Sequence, residues 1–384
     1  MAIEEKKLNP VAIGKGGNLV PGATSFNRDI EVNGNSEWPP AKYPAYLPTW
    51  DHTQKYPPLQ QYIFVDRGNH ADPTFPHLLG TNVHTTNITP TMGTFINGSV
   101  QLSKLGDSAK DELALLTAQR KLVVFKDQDF ADLPITKAVK WGGYFGRHHI
   151  NATSGTPLGF PEVQLAHRGA GDSSYDEFFS SHTTSAAWHS DVTYEEQPPA
   201  LTIMYILETP ETGGDTLFAD QVEAYRRLSP AFQERLHGLS ALHSGVQQAE
   251  TARRKGSIVR REPIETVHPI VRTHPVTREK ALFVNRQFTR GIIDMKREES
   301  DCILSFLYQH IANSPDLQCR IKWEPKMVII WDNRVTAHTA IFDWMTRERR
   351  HLARLTPQGE RPFETPFEVK DSIEEGLSEH STQR

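Results

Sequence analysis

The sequence predicts a mainly β domain with flanking helices, built on a double-stranded β-helix, the jelly-roll type of core. Three observations predict it. From residue 188 onward short apolar runs of strand length recur. Long insertions separate them, where tight turns would be short. Helical periodicity is confined to a few segments between the runs.

In chain order, Ser108-x-x-Asp111 followed by Leu113 and Leu116 marks a helix start with apolar residues at helical spacing. Leu122-Val123-Val124-Phe125 reads as a short buried strand. A second helix follows Pro134 and ends near Gly146. The passage 151–187 is rich in Gly, Ser and Pro and reads as irregular. Strands are then expected over 201–207, 216–218, 282–285, 327–331 and 351–355, with helices at 220–238 and 299–312. The polar insertion 247–265 carries Arg253, Arg254, Lys255, Arg260 and Arg261, and reads equally as an anion-attracting lid or a solvated loop.

Three regions are expected in the 384 residues. Residues 1–90 form an extended Pro-rich arm, interrupted at Pro39-Pro40, Pro44, Pro48 and Pro57-Pro58, with Trp50, Tyr56, Tyr62 and Phe64 docking part of it. Residues 91–362 form the domain, and 363–384 an acidic, flexible tail.

A formal net charge of -5 gives no electrostatic reason for a nucleic-acid partner. Two cysteines cannot make a disulfide framework; Cys302 falls in a helical pattern and Cys319 in a polar loop, both read as free thiols. The segment Met1 to Pro10 has no apolar h-region, and no run approaches the roughly 18 apolar residues of a membrane span. A soluble cytoplasmic protein that does not engage membranes is expected.

The chemistry concentrates in His189-Ser190-Asp191 and His338. Two imidazoles and one carboxylate hold a mononuclear Fe(II) while leaving positions open for substrate and O2. The same donor set also suits zinc. On an extended strand His189 and Asp191 would point to one face, with His338 arriving from beyond the strand at 327–331. In Arg350-His351-Leu352-Ala353-Arg354, positions 350, 352 and 354 share a face and Arg349 points away. Two inward guanidiniums beside one metal imply two anionic guests, because the arginine fork matches a paired-oxygen anion. The alternative is a solvated Arg-rich edge. Thr216 follows Gly213-Gly214-Asp215, where the glycines permit a tight turn beside the site.

Together, Trp188-His189-Ser190-Asp191-Val192, Thr212-Gly213-Gly214-Asp215-Thr216-Leu217 and Trp331-Asp332-Asn333-Arg334-x-x-x-His338 resemble the taurine dioxygenase family of Fe(II)- and 2-oxoglutarate-dependent enzymes. The resemblance runs from about Thr91 to Pro357 and includes Gly93-x-x-Ile96-Asn97-Gly98, Phe145-Gly146 and the run from His268 to Pro275. Tyr43-Pro44-x-Tyr46-Leu47-Pro48-Thr49-Trp50-Asp51 and the run from Pro357 to Pro362 are more narrowly similar to the fungal sulfonate dioxygenases.

The resemblance implies His189, Asp191 and His338 as iron ligands, with Thr216 and Arg350 on 2-oxoglutarate and Arg349 as the fallback for Arg350. It implies Arg354 on the substrate sulfonate and Val192 in the substrate pocket. Asn151 and Ser185 stand where the family has a substrate-side histidine and asparagine, and His149 matches the other histidine of that pair. The expected reaction hydroxylates the carbon next to the sulfonate of a taurine-like alkyl sulfonate. It uses O2 and releases sulfite and an aldehyde, with succinate and CO2. An alkyl sulfate or aryloxyalkanoate is the alternative small anionic substrate, and a catalytically silent binding barrel the alternative outside the enzymes. A homo-oligomer, dimer or tetramer, is implied.

Overall fold

Continuous apolar runs such as Leu201 to Leu207 have no polar face to offer water, so the strands they form must be covered on both sides. The computed structural model, which describes residues 26–367, shows how. Its elements are α1 (Arg28–Asn33), β1 (His84–Asn87), β2 (Thr94–Asn97), α2 (Asp107–Arg120), β3 (Leu122–Phe125), α3 (Ile135–Gly142), β4 (Gln164–Arg168), α4 (Ser174–Phe179), β5 (Leu201–Glu208) and β6 (Thr216–Asp220). There follow α5 (Gln221–Arg226), α6 (Pro230–Leu236), β7 (Ser240–Ser244), α7 (Val246–Arg254), β8 (Glu265–Pro269), β9 (Val271–Thr273), β10 (Lys280–Leu282), β11 (Thr289–Ile292), α8 (Arg297–Ala312), β12 (Gln318–Ile321), β13 (Val328–Asp332), β14 (Thr336–Ala340) and β15 (Arg350–Leu355).

A seven-stranded sheet runs β1-β2-β3-β13-β5-β15-β4, and a three-stranded sheet runs β12-β6-β14. Their facing sides interdigitate: Leu122, Val124, Met204, Ile206, Ile329, Trp331 and Leu352 of the large sheet meet Phe218, Cys319 and Ile321 of the small one. The opposite face of the large sheet, with Val123, Phe125, Ile203, Tyr205, Ile330 and Leu355, packs on Leu113 and Leu116 of α2 and Ala138 and Trp141 of α3. On the far side of the small sheet Ala219 and Ala337 pack against Ala224 of α5 and Leu304 and Leu307 of α8. Each such aliphatic side chain contributes roughly 1.5–3 kcal/mol by leaving water.

A three-stranded sheet β11-β7-β8 and a β9-β10 pair complete the described strands, and none of the sheets closes into a barrel among the described residues. Of the expected fold, the coarser part is observed: facing sheets flanked by helices.

Several local expectations are corrected. The passage 151–187 contains β4 and α4. The helix expected over 220–238 is two helices, because Ser229 caps Phe232 N and Pro230 starts a new one. The strand expected at 282–285 is β10 at Lys280–Leu282, which shares only Leu282 with it. Cys319 lies buried in β12 instead of a polar loop, while Cys302 is exposed on α8; both are free. The helix expected from Ser108 begins at Asp107.

The insertion 247–265 begins as α7, and it is no loosely solvated loop: Arg260 and Arg261 are buried, Arg260 donating to Ser154 O at 2.6 Å and Arg261 to Glu195 at 3.3 Å. Within the expected extended arm, regular structure is present at α1 and β1, and β1 joins the large sheet. The arm's first 25 residues lie outside the described residues, as do residues 368–384 of the tail. Residues 363–367 of the tail do not fray, since Phe363 O accepts from Thr273 N and Lys280 Nζ donates to Thr365 O and Pro366 O.

Candidate active site

β14 delivers His338 to the inner face, opposite Phe218 of β6. His189 pairs with it by an isolated antiparallel bridge: each backbone N–H donates to the other's carbonyl, at 3.0 and 2.8 Å. The extended stretch expected for His-x-Asp is only this bridge, since Asp191 already opens a turn closed by Glu195 N donating to Val192 O.

Asn333 sets that turn. Its Oδ1 accepts from Asp191 N at 2.7 Å, and its Nδ2 donates to Asp191 O at 3.1 Å and Pro199 O at 3.2 Å. Val192 follows with φ 41°, a left-handed conformation that a β-branched residue adopts only when the surroundings impose it. The sequence motif contained Asn333, but nothing in its spacing identified it as the anchor of Asp191.

The three side chains converge. Asp191 Oδ1 is 3.8 Å from His189 Nε2 and 3.9 Å from His338 Nε2, and a ligand atom from each lies within 4.8 Å of the others. All three residues are buried. His189 Nδ1 lies 2.8 Å from Ala187 O, so it carries the proton and leaves the Nε2 lone pair facing the cluster. Both Nε2 atoms are buried with no hydrogen-bond partner among the described residues. Orphaned buried nitrogens beside a carboxylate fit a metal ion.

Metal–ligand bonds of about 2.1 Å place adjacent ligands roughly 3 Å apart, so shifts under about 1 Å close this trio on one ion. Burial would raise the Asp191 carboxyl, but Arg354 and the two imidazoles outweigh it and hold it well below the usual carboxylate range. Burial, His189 and Arg354 together push His338 well below the ordinary histidine range, which keeps it a neutral donor.

β15 places Arg350, Leu352 and Arg354 on the inner face, as Leu352 in the intersheet core and Ala353 and Leu355 in the opposite one show. Arg349 points away, to Glu31 at 2.6 Å and Glu208 at 3.0 Å, so it is not beside the trio. Arg354 Nη1 is 3.2 Å from Asp191 Oδ1, while its Nε and Nη2 are buried without a partner among the described residues. Those two nitrogens form the side-on edge of the guanidinium, the edge that matches paired oxygens.

Arg350 donates from Nε and Nη2 to Gly214 O, at 3.1 and 2.9 Å. A Cβ on Gly214, whose φ is +72°, would sit 2.9 Å from Arg350 Nε, so the turn needs glycine there. Burial, then Arg168 and Arg354, push Arg350 down to about 9. Thr216 heads β6 on the face of Phe218, opposite Ala340 of β14, and is buried.

Two further expected residues serve local structure. Asn151 Oδ1 accepts from Thr153 N and Ser154 N, and Ser185 Oγ accepts from Phe342 N. His149, which matches the first histidine of the family's His-x-His pair, lies 2.8 Å from Glu195 Oε1.

This arrangement can be compared with known proteins. Residues 84–356 match the model of the taurine catabolism dioxygenase TauD, TfdA family. The chain belongs to that family. An alpha-ketoglutarate-dependent sulfonate dioxygenase of Saccharomyces cerevisiae is 47% identical over 328 residues, 84% of this chain and 79% of its own length. An alpha-ketoglutarate-dependent dioxygenase of Penicillium expansum is 40% identical over 86% of this chain and 90% of its own.

Among solved structures, a taurine dioxygenase from Burkholderia xenovorans is similar with a TM-score of 0.58 and 28% identity, covering 73% of this chain and 92% of that one. Family membership makes the protein a 2-oxoglutarate-dependent dioxygenase that uses Fe(II) and O2. No helix among the described residues is long and apolar enough to cross a membrane.

Proposed function

We propose that the protein is a sulfonate dioxygenase, hydroxylating the carbon next to the sulfonate of a small alkyl sulfonate and releasing sulfite and an aldehyde. One observation carries this reading: the unpaired, buried Nε/Nη2 edge of Arg354, held beside Asp191 and the two orphaned imidazole nitrogens. A buried cation with two unspent donors calls for an oxyanion next to the oxidising centre. The name of the Saccharomyces cerevisiae relative supports the same substrate class.

In this reading His189, Asp191 and His338 hold Fe(II). Bound with 2-oxoglutarate and O2, that ion supplies the oxidation that places one oxygen atom on the substrate carbon while the co-substrate becomes succinate and CO2. Arg350 and Thr216 fix the far carboxylate of 2-oxoglutarate, and Arg354 orients the sulfonate. Val192, held next to Asp191, borders the reacting carbon, with Asn151 and Ser185 shaping the loops around it. The hydroxylated product collapses as its C–S bond breaks: the electron pair leaves with sulfite, the hydroxyl proton is lost and the aldehyde carbonyl forms. Positioning of two anions at one buried centre is the chain's main contribution.

The facing sheets fit the two walls of a double-stranded β-helix, with the site buried at their inner faces. Residues 1–90, 91–362 and 363–384 act as arm, catalytic domain and tail, and a cytoplasmic homo-oligomer is consistent with free thiols and a long docked arm.

A panel of taurine, isethionate, an alkyl sulfate and an aryloxyalkanoate, read by succinate and sulfite, tests the proposal. Equal amounts of sulfite and succinate from a sulfonate are expected. Succinate formation coupled only to sulfate or phenol release would overturn it.

A further inference from the structure

Outside the residues already assigned, the inner face of the large sheet carries a further, partly buried cation, Arg168 at the end of β4. It stands directly opposite Arg350 in the β4–β15 pairing, just as Ala166 stands opposite Leu352. Cross-strand partners sit about 5 Å apart at Cβ and share a face, and like charges so placed repel. Two guanidiniums at such a pair need a reason.

The surroundings supply one. The Arg168 guanidinium lies over the rings of Phe342 at 3.9 Å and Trp344 at 4.8 Å, and that of Arg350 lies over Trp344 at 5.4 Å. Trp344 thus touches both cations, and it is wedged in place because a Cβ on Gly213 would come within 2.8 Å of its own Cβ. Two of the acidic groups nearby are engaged by Arg320, Asp215 at 2.5 Å and Asp343 at 3.0 Å, which leaves Asp172, 2.6 Å from Arg168 Nη2, as the anion paired with Arg168. Arg350 has only the Gly214 carbonyl, and Arg168 Nε is buried with no partner among the described residues. Burial pushes Arg168 down to about 10 against the pull of Asp172.

We propose that Arg168 is a positioning residue of the co-substrate pocket, bracing the Arg350 guanidinium through Trp344 and adding the second positive charge that selects a doubly charged 2-oxo acid. The inference rests on the co-substrate reading of Arg350 given above. It assigns Arg168 no contact with the reacting atoms; it acts through the orientation and field of Arg350.

Calorimetric titration of the full-length Mn(II)-loaded protein with 2-oxoglutarate and with 2-oxopentanoate, which lacks the distal carboxylate, separates the possibilities without turnover. In Arg168→Gln the Kd for 2-oxoglutarate rises roughly tenfold, the size of one partly screened charge pair, while that for 2-oxopentanoate stays unchanged. Arg168→Lys keeps most of the preference. Asp172→Asn, which removes the neutralising anion, tightens 2-oxoglutarate binding severalfold, a sign that misfolding does not produce.

Equal weakening for both acids, or no change for either, would overturn the proposal and leave Arg168 a support of the sheet. A wild-type protein with no preference for 2-oxoglutarate would instead remove the co-substrate reading of Arg350 itself.

Discussion

His189 and His338 bond each other twice through their main chains, at 3.0 and 2.8 Å, which sends both imidazoles off one antiparallel pair on the same side with ring centroids 4.3 Å apart. Backbone pairing, and no side-chain contact alone, therefore sets the distance between two of the three proposed ligands. The third depends on a turn, and the turn depends on Asn333.

Asn333→Ala should leave Asp191 N without its acceptor and free the turn to drift. A buried donor left unpaired costs about 1–3 kcal/mol, so the melting temperature falls. Loss of an outer partner of a metal ligand typically lowers metal affinity 10- to 100-fold. Titration of the purified variant with Mn(II) measures it; unchanged affinity would show that Asp191 is held by other contacts.

The two inward arginines should separate kinetically. Arg354→Ala raises the KM for the sulfonate by about 100-fold or more, the cost of a lost charge-assisted pair, with little change for 2-oxoglutarate. Arg350→Ala does the reverse. Equal losses for both ligands in either variant would contradict the division of roles.

Gly214→Ala forces a Cβ to 2.9 Å from Arg350 Nε at a backbone φ of +72°. The strain is about 1–3 kcal/mol, and the displaced guanidinium should raise the KM for 2-oxoglutarate while leaving that for the sulfonate near its original value. Steady-state kinetics with each ligand varied in turn checks this.

The arm contributes stability with a defined pH dependence. Buried Glu31 accepts from Arg349 Nε at 2.6 Å and faces His167 at 3.4 Å. Burial would raise its carboxyl, but the bonds from His167 and Arg349 prevail and its pKa lies below the ordinary 4.5. A depressed folded pKa stabilises above 4.5, and that stability is lost as pH falls through the folded value. Glu31→Gln should therefore cost about 3–5 kcal/mol at neutral pH by leaving Arg349 poorly paired, and should flatten the acid limb of the stability curve. Thermal melts from pH 7 to pH 3 measure both effects.

The local pattern revealed what short-range chemistry determines. The inner face of Arg350 and Arg354 followed from strand alternation, and β3, β5 and β13 from their unbroken apolar runs. What failed depended on distant partners or on capping. The split of α5 from α6 has a signal in Ser229-Pro230, a cap followed by a helix-starting proline, which the helical periodicity on either side masks. Arg349 and Arg350 could be told apart only by strand face, and the partner that occupies Arg349 lies 318 residues away in the arm. Arg168 lies in a passage whose Gly, Ser and Pro content predicts irregular structure, so its position opposite Arg350 has no sequence signature. The metal trio was legible as residue types, whereas its mutual distances required the bridge and the Asn333-held turn.

Anaerobic Fe(II) binding to the wild type, Asp191→Asn and His338→Ala, measured as ions bound per chain, tests the centre most directly. One ion per wild-type chain is expected, with occupancy lost in both variants while their folded circular-dichroism spectra persist. Full occupancy retained by either variant would contradict a centre built from His189, Asp191 and His338.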